Sequence, residues 1–121
     1  MPFDQEVYEG IFSYSLIHLL SGNERTKLIE DCYNQLKPGG MMVFVTISKM
    51  DFRYRQGVEV SKDTFEPWPG LTLYFYDLES IKTDFGNYGL KNAMVINEPK
   101  VDLEGKPPQK FWYIVCEKEN N

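Results

Sequence analysis

The sequence is short of the residues that most often announce a chemistry. It holds one histidine and two cysteines in 121 residues. They are scattered, so no metal-ligand spacing and no Cys–His or Ser–His–Asp arrangement is expected. Cys32 and Cys116 each lie in an apolar pattern and read as reduced thiols packed as small hydrophobes, not as a disulfide. The longest apolar runs, residues 41–47 and 111–116, are of strand length and too short to span a bilayer. Met1-Pro2-Phe3-Asp4 has no basic region and no long apolar run, so it does not read as a signal peptide. Positive charge is also in deficit: 13 Lys and Arg stand against 18 Asp and Glu, a net charge of −5. Such a surface is poorly suited to nucleic acid or an anionic membrane, because little is available to neutralise phosphates. These absences lead to the expectation of a cytoplasmic protein, a single domain over residues 1–121, without repeats or low-complexity segments.

What is present is pattern. Hydrophobic residues make up 42% of the chain and aromatics 15%, enough for a packed core. Residues 10–14 read as a short strand, and residues 15–20 as a helical turn. Ser21-x-x-Glu24 fits a capping box, in which the serine hydroxyl accepts from an N-terminal amide and the glutamate reaches back. Leu28, Ile29, Cys32, Tyr33 and Leu36 follow at helical spacing. Pro38-Gly39-Gly40 is expected to stop that helix, glycine supplying a left-handed C-cap. Residues 41–47 are apolar without alternation, which suits a central strand covered on both faces. Residues 48–70 read as a long loop, and 72–76 as a short extended piece. Asp77 is the expected N-cap of a second helix, with Leu78, Ile81, Phe85 and Tyr88 on one face and Gly89 closing it. Residues 90–98 and 111–116 read as strands joined by a hairpin-like connection over 101–109. The order is strand, helix, strand, helix, strand, strand, with parallel crossovers first and an antiparallel pair last.

Several of these segments resemble, in order, the C-terminal half of a class I S-adenosylmethionine (SAM)-dependent methyltransferase of the methyltransferase-domain family. Leu36-Lys37-Pro38-Gly39-Gly40 resembles the family's LKPGG turn before strand five. Pro2-Phe3-Asp4 and Tyr8-Glu9-Gly10-Ile11 resemble the approach to strand four, with Tyr8-Glu9 in place of the usual Phe-Asp. His18-Leu19-Leu20 resembles the small helix after it. The stretch from Tyr76-Asp77 to Gly89-Leu90 resembles the last helix and the start of strand six, and residues 111–116 resemble antiparallel strand seven. The resemblance implies an α/β fold: a partial Rossmann-like sheet with strands equivalent to 4-5-7-6, the last antiparallel, and helices packed on it. It implies SAM as cofactor and a small molecule as methyl acceptor. It also implies that the glycine-rich cofactor loop and the acidic residues that hold ribose and adenine belong to a preceding half. The chain is therefore expected to be truncated and inactive or weakly active alone, with SAM binding doubtful. The alternative is a non-catalytic dimeric interaction module derived from a methyltransferase. A nucleotide-binding Rossmann domain is disfavoured by the closing hairpin and the LKPGG turn.

Open α/β sheets bind ligands beyond the C-terminal ends of their strands, and that rule selects the candidate site residues. His18 is the catalytic candidate, as an acceptor-facing base; a buried histidine satisfied by backbone is the competing use. Ser13, Tyr14 and Ser15 are the cofactor-binding candidates; Tyr14 and Ser15 resemble positions that in the family line the methionine end of SAM, with core packing the competing use of Tyr14. Tyr54, Arg55, Trp68 and Tyr76 are the substrate-binding candidates. Phe65, Tyr74 and Phe75 would join them in an aromatic pocket, although core packing is the commoner use of such residues. No metal is expected. With half a sheet, the strand-four equivalent becomes an edge. A second copy or a separate N-terminal half is expected to cover it.

Overall fold

The computed structural model describes residues 8–14, 16–98 and 109–119. The chain runs β1 (Tyr8–Tyr14), a single 3-10 turn (Ile17–Leu19), α1 (Gly22–Asn34), β2 (Leu36–Ile47), β3 (Val58–Ser61), β4 (Thr64–Trp68), β5 (Leu71–Tyr74), α2 (Leu78–Phe85), β6 (Leu90–Glu98) and β7 (Gln109–Glu117). Four strands form one sheet in the order β1-β2-β7-β6. β1 and β2 are parallel; β7 runs antiparallel to both β2 and β6. This is the 4-5-7-6 arrangement expected from the sequence.

Both helices begin where their side chains say they should. The Ser21 hydroxyl accepts from the Glu24 amide at 3.3 Å, and the Ser21 amide donates to the Glu24 carboxylate at 2.9 Å. Asp77 and Ser80 form the same reciprocal pair at the start of α2. These bonds satisfy amide donors that a helix start leaves open.

The helix ends differ from expectation. α1 stops at Asn34, and Gln35 caps it in the right-handed region with φ −89°. Gly39 is left-handed, with φ 82°, but it lies inside β2. There the Gly39 amide donates to Lys118 and Gly40 accepts from Lys118. The glycine turn is therefore a bulge: Tyr8 pairs with Leu36 and Gly10 already with Met41. A Cβ on Gly40 would sit 2.8 Å from the Lys37 carbonyl and 2.9 Å from that of Glu9, which explains glycine there. Similarly, α2 ends at Gly86, not Gly89; Gly89, with φ 74°, instead turns the chain into β6.

The expected loop over residues 48–70 holds two strands. β3, β4 and β5 form an antiparallel meander, and the extended piece is β5. The hairpin connection expected over 101–109 lies outside the described residues apart from Gln109.

Alternation splits the core. Met42, Phe44, Ile114 and Cys116 face α1 and α2, where they meet Ile29, Cys32, Ile81 and Phe85. The Phe44 and Phe85 rings meet edge to face at 5.1 Å. Val45, Ile47 and Phe111 point the other way, against Phe65, Leu73 and Phe75 of the meander segment. Among the described residues, no helix covers the rest of that second face. Phe12, Tyr14, Met41 and Met94 lie on it exposed.

Candidate functional site

β1 and β2 are parallel, so their C-terminal ends fall together. Beyond them opens a cleft of about 870 Å³. Its walls are His18 and the N-terminal turn of α1, Lys49 just after β2, the β3–β4 turn with Thr72 and Tyr74, and the exposed side of α2. The meander thus supplies a whole wall, and it does so from the segment that reads as a loop in sequence.

Two networks of opposite charge organise the cleft. Lys49 donates to Asp77 at 2.7 Å and lies 3.0 Å from Asp63. Asp63 also accepts from the Tyr54 hydroxyl at 2.9 Å. It sits at φ 57°, a conformation that aspartate tolerates better than most residues. Burial works against the Lys49 charge, but the bonds to Asp77 and Asp63 together outweigh it and hold the ammonium above the usual lysine range. The Lys49 bond and the Ser80 amide pull Asp77 down to about 2. In the second network the Arg25 guanidinium lies 3.6 Å over the Tyr74 ring and donates to the Leu20 carbonyl at 2.8 Å. Its Nε is 3.9 Å from Asp84, and Asp84 accepts from the Tyr76 hydroxyl at 2.8 Å. Burial and then the Asp84 charge push the Tyr76 phenol upward.

His18 lines the cleft but is mostly buried. The Ile47 amide donates to His18 Nδ1 at 2.9 Å, and the Thr46 hydroxyl lies 3.2 Å from the same atom. An accepting Nδ1 leaves the ring proton on Nε2. Burial, followed by the Arg53 charge, lowers the pKa to about 4, against a smaller raising effect of Asp51. At neutral pH the ring is therefore a neutral donor, and the nitrogen that would serve as a base is already bonded to backbone.

The other candidates scatter. Ser13 faces the helix layer, its hydroxyl sealed from solvent. Tyr14 is half exposed on the bare sheet face, near Phe12 and Phe111. Ser15 lies outside the described residues. Tyr54 packs edge to face with Phe65 and Phe75 at 5.4 Å each and touches the cleft through Asp63 and Lys49. Arg55 is exposed beside the Tyr54 ring. Trp68 is exposed at the end of β4, away from the cleft wall. Tyr76 is fully buried, which makes it support beneath the cleft. Phe65 and Phe75 are core, whereas Tyr74 does line the cleft.

Sequence reasoning missed Arg25, Asp63 and Asp84, and also Asp51. The last is buried, accepts from Arg53 and from the Lys110 amide at 2.7 Å, and so ties the segment after β2 to β7. Lone charged residues on helices and turns carry no periodic mark. Asp51-x-Arg53 was the one local hint.

The described residues do not by themselves make a cradle for SAM. No glycine lies between Tyr14 and Ser21, so the connection after β1 offers no close backbone approach. The Ser13 hydroxyl is sealed from solvent, and neither Ser13 nor Tyr14 lines the cleft. Among the described residues no group of three His, Cys, Asp or Glu is placed to hold a metal ion. No cysteine lines the cleft, and burial raises both thiols to about 12. The cleft is lined by paired charges and hydroxyls. No described helix is long and apolar enough to cross a membrane.

No family model matches the sequence. Among curated proteins, the tRNA N(3)-methylcytidine methyltransferase Mettl2 of Drosophila melanogaster is 19% identical over 106 residues, covering 85% of this chain and 33% of the relative. The chain thus spans about a third of that relative's length. Solved structures are alike over nearly the whole chain. A SAM-dependent methyltransferase from Methanosarcina mazei superposes with a TM-score of 0.77 at 12% identity, over 100% of this chain and 64% of that one. The Burkholderia thailandensis 1,6-didemethyltoxoflavin-N1-methyltransferase, solved with 1,6-didemethyltoxoflavin and S-adenosylhomocysteine, gives 0.69 at 9% identity, over 97% and 47%. TehB from Haemophilus influenzae gives 0.60 at 18% identity, over 96% and 37%. With the strand order, the antiparallel β7 and the turn before β2, these likenesses show the fold: the chain has the fold of part of a SAM-dependent methyltransferase domain.

Proposed function

We propose that this chain is the acceptor-side half of a SAM-dependent methyltransferase and that it acts only with an N-terminal half that holds the cofactor. One observation carries the reading: the charged cleft at the joint C-terminal ends of β1 and β2. Methyl transfer asks the protein mainly to position the acceptor, because SAM brings its own leaving group. A cleft with fixed Lys49–Asp77 and Arg25–Asp84 pairs does that. Its size suits a small molecule, and its preset dipoles favour a polar one. Although the Drosophila relative is named for a tRNA cytidine, acidic rim residues such as Glu79 and a net charge of −5 support a small acceptor over a nucleic acid here. Two buried, free cysteines support a cytoplasmic setting.

The test is methyl transfer from labelled SAM to a panel of small polar acceptors, with the chain fused behind an N-terminal methyltransferase half. Transfer that falls at least tenfold in Arg25→Met, with the fold retained by circular dichroism, supports the cleft. Transfer unaffected by that change places the acceptor elsewhere, and a fused protein that binds SAM but methylates nothing points to the non-catalytic alternative.

A further inference from the structure

One wall of the cleft is held less firmly than the others. It is formed by Val60 and Ser61 of β3 and by Lys62 and Asp63 of the turn that follows. The ladder to β4 joins Val58 to Glu66, Glu59 to Phe65 and Ser61 to Thr64, with an irregularity between Glu59 and Ser61. Every residue of β3 is exposed, so this arm is fixed by its short ladder and by what holds its two ends.

Both ends are left-handed. Arg55, with φ 67°, and Gly57, with φ 78°, precede the arm, and Asp63, with φ 57°, follows it. Arg55 and Asp63 are the two non-glycine residues with positive φ among the described residues. Such residues persist where neighbouring groups hold them, and they gather at switches and ligand clamps. Beyond each end the chain is anchored. Buried Asp51 accepts from the Arg53 amide and guanidinium and from the Lys110 amide. On the other side Phe65 packs in the core, and the Phe75 amide donates to the Asp63 carbonyl at 2.9 Å.

The Asp63 carboxylate is the latch. It lies 3.0 Å from the Lys49 ammonium and accepts from the Tyr54 hydroxyl at 2.9 Å, which keeps Asp63 in its left-handed conformation. Lys49 has a second carboxylate, Asp77, at 2.7 Å, itself fixed by the Ser80 amide at the start of α2. Breaking an ion pair usually strands one charge. Here Asp63 can leave while Lys49 stays paired. All of these latch groups belong to the segment from the end of β2 to the start of α2, and none to β1.

We propose that residues 58–62 form a gate in the cleft wall, hinged at Arg55–Gly57 and at Asp63 and latched shut by the Lys49–Asp63 ion pair. Its use as an entrance for the acceptor rests on the function proposed above; its opening does not.

Hydrogen exchange of the 121-residue chain, followed residue by residue by NMR, tests the opening alone. Arm amides bonded to β4 are expected to exchange roughly 100-fold faster than those of residues 42–46 and 112–115. Raising sodium chloride to about 0.5 M is expected to quicken the arm about two- to fivefold, because salt screens a part-exposed pair. Asp63→Asn keeps a residue that tolerates the left-handed region but removes the charge. It is expected to quicken arm exchange by a similar factor and to erase the salt effect, with β2 and β7 unchanged. Arm amides that exchange together with those of β2 and β7, in one event, overturn the gate. An arm that opens separately but ignores both salt and Asp63→Asn overturns the latch. Protection lost throughout the chain in Asp63→Asn makes Asp63 a support of the whole fold and overturns the latch as well.

Discussion

At the scale of single residues, the protein protects polar groups by giving them fixed partners, and His18 shows the consequence. Its folded pKa of about 4 lies below the unfolded value of 6.5. Between those values the unfolded chain binds more protons than the folded one. Stability is therefore complete above about pH 6.5 and falls as pH drops toward 4, by on the order of 3 kcal/mol in all. Urea denaturation at a series of pH values is expected to show this slope in the parent and to lose it in His18→Gln. A second residue-scale expectation concerns Tyr76, whose hydroxyl donates to buried Asp84. Tyr76→Phe is expected to lower stability by about 1–2 kcal/mol, read as a shifted denaturation midpoint at constant slope. For His18 the sequence offered two uses, and the structure shows the competing one, a buried histidine bonded to backbone. His18 stood out because it was the sole histidine, but its partner is a backbone amide far along the chain. Tyr76 looked like any other aromatic near the second helix.

The elements were legible where their signals are local. Ser21 with Glu24, and Asp77 as a helix start, act within one turn, so sequence shows them directly. Asp77→Ala is expected to cost about 1 kcal/mol as a lost cap. The Asp77 carboxyl is held near 2 against an ordinary 3.8. Its contribution is thus present above about pH 4 and disappears as pH falls toward 2. Asp77→Asn, which can still cap, is expected to melt with less pH dependence across that window. The helix ends were harder to see, because Pro38-Gly39-Gly40 looks like a stop whether it ends a helix or bulges a strand. Packing decides: Gly40 is pressed between two carbonyls. Gly40→Ala is expected to cost about 1–3 kcal/mol by crowding, seen as a lower denaturation midpoint. The meander was invisible for a different reason. Every residue of β3 is exposed, and β4 contains Pro67 and buries only Phe65. Strands held by cross-strand pairing, without a buried face, leave no alternating pattern to read.

For the molecule as a whole, the sheet order followed from a few strong runs: residues 41–47, 90–98 and 111–116. The cleft did not, because it draws on residues from His18 to Asp84 that only the fold brings together. The central proposal is that these residues form the acceptor side of a methyltransferase and leave the cofactor to another half. Titration calorimetry with SAM tests it most directly, on the chain alone and then on the chain joined to an N-terminal half. The account predicts no heat of binding from the chain alone, with binding and methyl transfer appearing once the half is joined. Micromolar SAM binding by the chain alone would contradict it.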